Sequence, residues 1–337
     1  MNQKRIMFIL AIFLGFAREL LSTDDVTAIQ KIVQHSYGEN VCISSIAPIN
    51  AGLTNRNYKV IVNNETLFVR IGRENPAVLG IDRTKEFAIY RLVQNEQITP
   101  ALIDSDTSSG NMIARYITGT HFGKIHGEWL YDKESSLQKI VALIKTYHAL
   151  ESPLQTEVDF PFSIIEHYLE QARELSVNLP SNIDIALSII QNIKSYLPTI
   201  SKVLCHQDLF ADNFIYDGSD LYLVDWEFAE WSDPFYDLAS LCIEQEYEPE
   251  EKEMVLTYYF GGFSQEQRIH LEMMCMLYSM RAALWALNQD HSSREKQMDF
   301  KSLFELHYQN FFRSYTWLKQ TIGDMDFLQK RASLAGL

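Results

Sequence analysis

The sequence predicts an α+β protein: a small, mostly antiparallel β unit followed by a larger helical unit. Three observations carry this. Short β-rich runs bounded by Gly, Asn and Pro crowd the first third of the chain. Apolar residues recur at helical spacing through most of the remainder. One polar stretch, "HQDLFADNFIYDGSDLYLVDWE", interrupts the helices with two short β-runs around an Asp-Gly turn.

Taken in order, "DDVTAIQKIVQHSY" has helical spacing, with Ser22, Thr23 and Asp24 as candidate caps. "VCISSIAPI", "NYKVIVN" and "ETLFVRIG" read as strands. "NAGLTNRN" joins the first two and "NNE" makes a tight turn between the next two. "DRTKEFAIYRLVQN" is helical again, with Phe87, Tyr90 and Leu92 on its apolar face, and "ALIDSDTSSGNMIARYI" supplies two more strands around a Gly-Asn turn. After Gly119 the clearest helices are "SLQKIVALIKTYHAL", "FSIIEHYLEQARELS", "IDIALSIIQNIKSYL" and "RIHLEMMCMLYSMRAALWALNQ". The acidic run "EQEYEPEEKE" reads as one solvated face. The predicted organisation is an extra apolar segment over 1–23, an N-terminal unit over 24–117 and a helical unit over 118–337.

The chain has 337 residues, 47% of them apolar, enough to bury a sizeable core. A net charge of −15 argues against a nucleic-acid partner, which requires a basic footprint. It suits a cationic ligand. The four cysteines form no CxxC pair, which speaks against a zinc ribbon or a dense disulfide framework and for reduced, mostly buried thiols. The segment "KRIMFILAIFLGFARELL" has the shape of a signal peptide, but no small-x-small cleavage site follows and the run is too short to span a bilayer. It is read as an added N-terminal segment, no later segment is a membrane span, and the protein is placed in the cytoplasm.

The chemistry concentrates in the polar hairpin. Asp208 precedes Asn213 by five residues, and Asp225 follows twelve later. Asn213 opens the first short strand and Asp225 closes the second, so the returning strands set them side by side. A carbonyl and a carboxylate there make a hard-oxygen site suited to Mg²⁺, and Asp208 is free to accept a proton. The pattern His-x-Asp-x₄-Asn followed by a further Asp resembles the catalytic loop and metal-binding acid of eukaryotic-like kinases. On that pattern the backbone around Gly52, Leu53, Thr54, Asn55 and Asn57 lies over nucleotide phosphates. Arg70 stands on the following strand as their side-chain partner, Glu86 on the next helix pairs with Arg70, and "MIARYI", with Ala114 and Tyr116, is the hinge offering backbone groups to adenine.

From about Ile43 to the helix holding Trp285, the chain resembles the choline/ethanolamine kinase family, within the aminoglycoside-phosphotransferase-like and protein-kinase-like superfamily. "VDWEFAEWSDPFYDLASLCIE" resembles the family's Asp-aromatic-Glu-aromatic signature, with Asp225, Glu227, Asp237 and Glu244 at the matching acids. "AGLTNRNY" is similar to its phosphate loop and "RAALWALNQ" to its C-terminal Trp-containing helix, and bacterial members often carry Arg where Arg70 stands. The resemblance implies a bilobed kinase-like fold, ATP and Mg²⁺ as cofactors, and choline as the substrate phosphorylated to phosphocholine. It implies Asp208 as the base, Asn213 and Asp225 as Mg²⁺ ligands, and His206 and Asp237 as organisers of the catalytic loop. It also implies Glu227, Glu244 and Trp285 as the choline pocket, with Tyr236, Trp226 and Trp231 as further aromatics in reach by sequence. Carboxylates and aromatic faces suit a quaternary ammonium, each face contributing about 0.5–2 kcal/mol.

Three departures stand out. Ala282 occupies the place of a frequent second Trp, which puts part of the aromatic cage in doubt. Gln207 and Asp212 replace common loop residues; the first change is mild, and the second alters backbone preferences because it replaces a frequent Gly. Ethanolamine, thiamine or an aminoglycoside is the nearest alternative substrate. A pseudokinase binding module is the alternative of another class, and the presence of Asp208, Asn213 and Asp225 argues against it.

Overall fold

A computed structural model of the protein describes residues 21–49, 54–151, 159–292 and 299–322. The chain divides into two units. The first comprises the segments up to Glu74 together with Leu102–Tyr116; the second comprises Asn75–Ala101 and the chain from Ile117 onward.

In the first unit, helix α1 (Thr23–Tyr37) starts at Ser22, whose hydroxyl accepts from the Asp25 amide. Five strands follow: β1 (Ile43–Ile49), β2 (Arg56–Val62), β3 (Glu65–Ile71), β4 (Leu102–Ser105) and β5 (Met112–Arg115). They form one antiparallel sheet in the order β1-β2-β3-β5-β4. Asn63 and Asn64 both take positive φ, 49° and 68°, which gives the β2–β3 turn the twist the flanking strands need. The two-residue period of β2 points Tyr58, Val60 and Val62 inward, where they meet Ile29 and Val33 of α1 with Leu67, Val69 and Ile113.

In the second unit, helix α2 (Arg83–Val93) starts at Asp82, whose carboxylate accepts from the Thr84 and Lys85 amides. Sequence reading placed this helix in the first unit. Long-range pairs anchor it in the second: Arg83 to Glu227 at 3.0 Å, Lys85 to Glu230, and the Leu223 amide onto the Ile98 carbonyl at 2.7 Å. Short strands β6 (Thr120–His121), β7 (Lys124–Ile125) and β8 (Glu128–Trp129) precede helices α3 (Lys133–His148), α4 (Phe162–Glu174) and α5 (Ile183–Tyr196). The polar segment then gives β9 (Val203–Cys205), β10 (Phe214–Tyr216), β11 (Leu221–Leu223) and β12 (Glu230–Ser232). β10 and β11 form the expected hairpin, extended by β6 on the other edge of β10, and β9 pairs with β12.

Helices α6 (Pro234–Glu244), α7 (Pro249–Phe260), α8 (Gln265–Ser292) and α9 (Phe300–Ile322) complete the unit. Every residue from Leu271 to Met280 is buried, Glu272 and Ser279 included, so α8 is enclosed on nearly all sides and serves as the core onto which α4, α6 and α9 pack. The acidic run after Glu244 is not one solvated face. Glu251 is 6% exposed, binds Lys124 Nζ at 2.8 Å and Trp129 Nε1 at 2.8 Å, and accepts from the Glu248 amide as the second half of a capping box on α7. Cys205, Cys242 and Cys275 are buried free thiols and Cys42 is exposed. No helix among the described residues is long and apolar enough to cross a membrane. Most of the N-terminal apolar segment lies outside the described residues.

Candidate active site

The site is built where β9 runs out. Residues His206–Asp208 leave the strand and are gathered by Asp237 in the first turn of α6. Asp237 accepts the His206 amide at 2.8 Å, the Gln207 amide at 2.7 Å, the Tyr147 hydroxyl at 2.6 Å and His148 Nε2 at 3.1 Å. Burial alone raises a carboxyl pKa, but these hydrogen bonds, His148 foremost, hold Asp237 below the ordinary carboxylate value. Nearby Cys205 and His148 complete a trio with ligand-type atoms, but His148 and Asp237 are bound to each other and to protein groups, so the trio is a structural network.

His206 is fully buried, and burial pushes its imidazole down to about 4. The neutral ring donates from Nε2 to the Val224 carbonyl at 2.9 Å, and Nδ1 accepts the Asp208 amide at 3.3 Å. Its ring also meets Trp226 edge-on at 4.7 Å. This side chain ties the loop to the end of β11 and stays uncharged.

Asp208 is half-buried. Burial pushes its carboxyl up to about 6, with Glu227 adding to the rise and Arg281 and Asn213 opposing it. Asn213 closes a short 3₁₀ turn, Ala211–Asn213, and its Nδ2 donates to the Asp208 carbonyl at 2.7 Å and to Oδ2 at 3.3 Å. Phe214 faces Leu223 in the hairpin, and the Val224 amide donates to the Asn213 carbonyl at 3.0 Å. Asn213 and Asp225 therefore flank the same end of the ladder, as the spacing predicts. Asp225 has a left-handed backbone, φ 69°. With Asn213 Nδ2 committed to Asp208, its Oδ1 is left to face a ligand, and an amide oxygen together with a carboxylate is donor chemistry that suits Mg²⁺.

The two loop departures exchange significance. Asp212 has no positive φ and needs no Gly, whereas Gln207 sits at φ 70°, a region that costs a non-Gly side chain.

The acids assigned to an ammonium pocket have different surroundings. Glu227 is 3% exposed and shares the Arg83 guanidinium with Glu86, at 3.0 and 2.7 Å. Arg83 was not singled out in the sequence; its signal is the three-residue step to Glu86 inside α2. Glu244, at the end of α6, has Oε1 without a hydrogen-bond partner and 3.9 Å from His307 Nε2 on α9. Burial pushes Glu244 up to about 8. Trp285 Nε1 and Tyr236 Oη are likewise buried without partners. Trp285 meets Phe300 at 5.8 Å, and Tyr236 lies against Phe160 and Tyr278 at 5.2 and 5.7 Å. Trp226 and Trp231 are core residues, 1% and 2% exposed. Arg281, Tyr278 and His307 were also missed. The first two share one face of α8 with Trp285, a spacing that could have flagged them.

In the first unit, Arg70 is 3% exposed and donates from Nε to the Gly110 carbonyl at 3.1 Å; it is not a surface strand charge. Asn57 pairs across the sheet with Arg70. Asn55 Oδ1 accepts the Arg73 amide at 3.2 Å, and its Nδ2 donates to Thr54 Oγ1 at 3.1 Å. Gly52 and Leu53 lie outside the described residues. Ala114 is buried on β5 opposite Phe68, and Tyr116 lies under Lys59 Nζ at 4.6 Å.

A protein LicA homolog of Mycoplasma capricolum is 25% identical over 57% of this chain and 70% of its own length. The crystal structure of choline kinase LicA from Streptococcus pneumoniae superposes with a TM-score of 0.71 at 20% identity, covering 86% of this chain and 100% of that one. A spectinomycin phosphotransferase in complex with ADP and spectinomycin gives 0.62 at 12% identity, covering 86% and 97%. These likenesses establish a kinase-like fold. The model of the phosphotransferase enzyme family matches residues 45–269, two thirds of the sequence, and the chain belongs to that family, an enzyme acting on an alcohol group.

Proposed function

We propose that the protein transfers the γ-phosphoryl group of ATP to the hydroxyl of a small amino alcohol, with choline as the first substrate. The observation that carries this reading is the hairpin geometry: Asn213 bound to Asp208 and flanking Asp225 at the end of one ladder. Asp208 orients the acceptor hydroxyl and takes its proton; its raised pKa makes it a better base than an ordinary aspartate. Asn213 and Asp225 would hold Mg²⁺, which neutralises charge on the nucleotide phosphates when bound. His206 and Asp237 fix the loop. Arg70 would meet nucleotide phosphate, with Thr54, Asn55 and Asn57 also near phosphate and Ala114 and Tyr116 beside adenine, while Glu86 holds Arg83. The kinase likeness and the name of the Streptococcus relative support nucleotide and choline respectively.

One observation favours a second acceptor class. Trp285 Nε1–H, the Tyr236 hydroxyl and Glu244 Oε1 are unserved hydrogen-bonding atoms. A quaternary ammonium donates an N–H bond to neither Glu244 Oε1 nor the Tyr236 oxygen, whereas the ammonium of ethanolamine or an aminoglycoside does; the Trp285 N–H, itself a donor, takes an oxygen acceptor instead.

Replacing Asp208 with Asn tests the assignment. Turnover should fall by about 10²–10⁴-fold while Mg²⁺-ATP still binds. Turnover close to that of the unaltered protein would remove Asp208 from its role.

A further inference from the structure

Arg281 enters above only as a charge that opposes the rise of the Asp208 pKa. It lies in the middle of α8 and is only 5% exposed. Among the described residues no carboxylate forms an ion pair with its guanidinium. A buried cation without a direct counter-charge is costly, and an apolar side chain would fill a core helix position more cheaply. Its contacts show what the charge is used for. Nη1 donates to the Gln207 carbonyl at 3.0 Å. The guanidinium carbon lies 4.8 Å from the Phe228 ring centroid and 5.8 Å from that of Tyr278.

Those contacts join two separate parts of the site. Gln207 immediately precedes Asp208. Phe228 ends the 3₁₀ turn that opens at Asp225. The peptide linking Gln207 to Asp208 is held at both ends: its carbonyl by Arg281 at 3.0 Å, and its N–H by His206 Nδ1 at the longer distance of 3.3 Å. Asp237 fixes the preceding two amides but does not touch this one. Gln207 meanwhile has φ 70°, which a glutamine does not adopt without support. Without Arg281, Gln207 could return to a negative φ by turning about its own N–Cα bond, and that turn would carry the 207–208 peptide and Asp208 away from Asn213 and Asp225.

We infer that Arg281 is a positioning residue: from α8 it clamps the left-handed Gln207 turn and the Phe228 turn together, and so sets where Asp208 stands relative to Asp225. Its kinetic consequence rests on the phosphoryl-transfer reading above; its structural consequence does not.

The test uses the full chain with Arg281→Met, Arg281→Lys and the double variant Arg281→Met/Gln207→Gly. Three quantities are read: kcat and KM for ATP, the thermal midpoint, and amide hydrogen exchange of the 204–214 segment. In Arg281→Met, kcat should fall by at least about tenfold with KM for ATP within about twofold. Exchange at residues 206–209 should quicken by about tenfold while α8 itself keeps its protection. Lys, which also donates to a carbonyl, should restore part of kcat. Gln207→Gly should restore part as well, because glycine holds the left-handed turn without the clamp. Unchanged exchange at 206–209 overturns the inference. So does a kcat loss that neither Lys nor the glycine relieves and that follows a lowered thermal midpoint with exchange rising along all of α8, the signature of packing alone. If the unaltered protein phosphorylates no acceptor, the reaction reading fails and the exchange measurement still decides the role of Arg281.

Discussion

Asp208 and Glu244 are carboxyls that burial makes reluctant to ionise, one to about 6 and the other to about 8. A base must be ionised to act, so kcat/KM should fall as pH drops through about 6, about tenfold per unit below it. His206 cannot supply that limb, since burial keeps it neutral down to about 4. A kcat/KM profile flat from pH 5 to 8 would contradict the assignment of Asp208. Glu244 acts on the other side of neutrality. Below about 8 it is protonated in the empty protein, and a cationic acceptor favours its ionised form. Acceptor binding at pH 7 should therefore release a proton, affinity should rise toward pH 8, and Glu244→Gln should abolish the dependence. Calorimetry in buffers of different ionisation enthalpy measures this directly, and proton uptake or no exchange would refute it. Asp208, Asn213 and Asp225 were legible in the sequence because a hairpin makes their proximity a local matter. Arg83 and Arg281 were not, because their partners Glu227 and Gln207 lie 144 and 74 residues away.

Among the elements, α6 governs the site most directly. Its N-cap Asp233 accepts the Phe235 amide at 2.8 Å and is bound by His270 Nε2 at 2.7 Å. One turn on, Asp237 accepts four hydrogen bonds from the loop and from α3. Asp237→Asn would set an NH₂ group against donors that need an acceptor. Stability should fall by about 3 kcal/mol or more, and turnover with it. A melting curve superimposable on that of the parent would contradict this. The sequence showed α8 well, because "LEMMCMLYSM" is apolar but for Glu272 and Ser279, a run that belongs in a core. It did not show α7 as half-buried, since the burial of Glu251 depends on Lys124, 127 residues away. The β10–β11 hairpin was legible from its Asp-Gly turn and its alternation, and its register followed.

At the scale of the molecule, the division into a β-rich unit and a helical unit was legible because the hydrophobic period changes from two to 3.6 along the chain. The grouping of Asn75–Ala101 with the helical unit was not, because it depends on ion pairs and a backbone bond reaching residues beyond 220. Fold and reaction class follow from patterns spread over many residues. The acceptor, on the reading proposed above, depends on a few side chains around Glu244, Tyr236 and Trp285, and their unserved polar atoms are visible only in the folded chain. The central claim is that this chain phosphorylates a small amino alcohol, choline first. It is tested most directly by incubating the purified full chain with Mg²⁺-ATP and choline, ethanolamine, thiamine or kanamycin in parallel and following phosphate ester formation by ³¹P NMR. Phosphocholine should form with a kcat/KM at least about tenfold above that of the other esters. Absence of a phosphate ester with all four acceptors, from protein that binds Mg²⁺-ATP, would contradict the account.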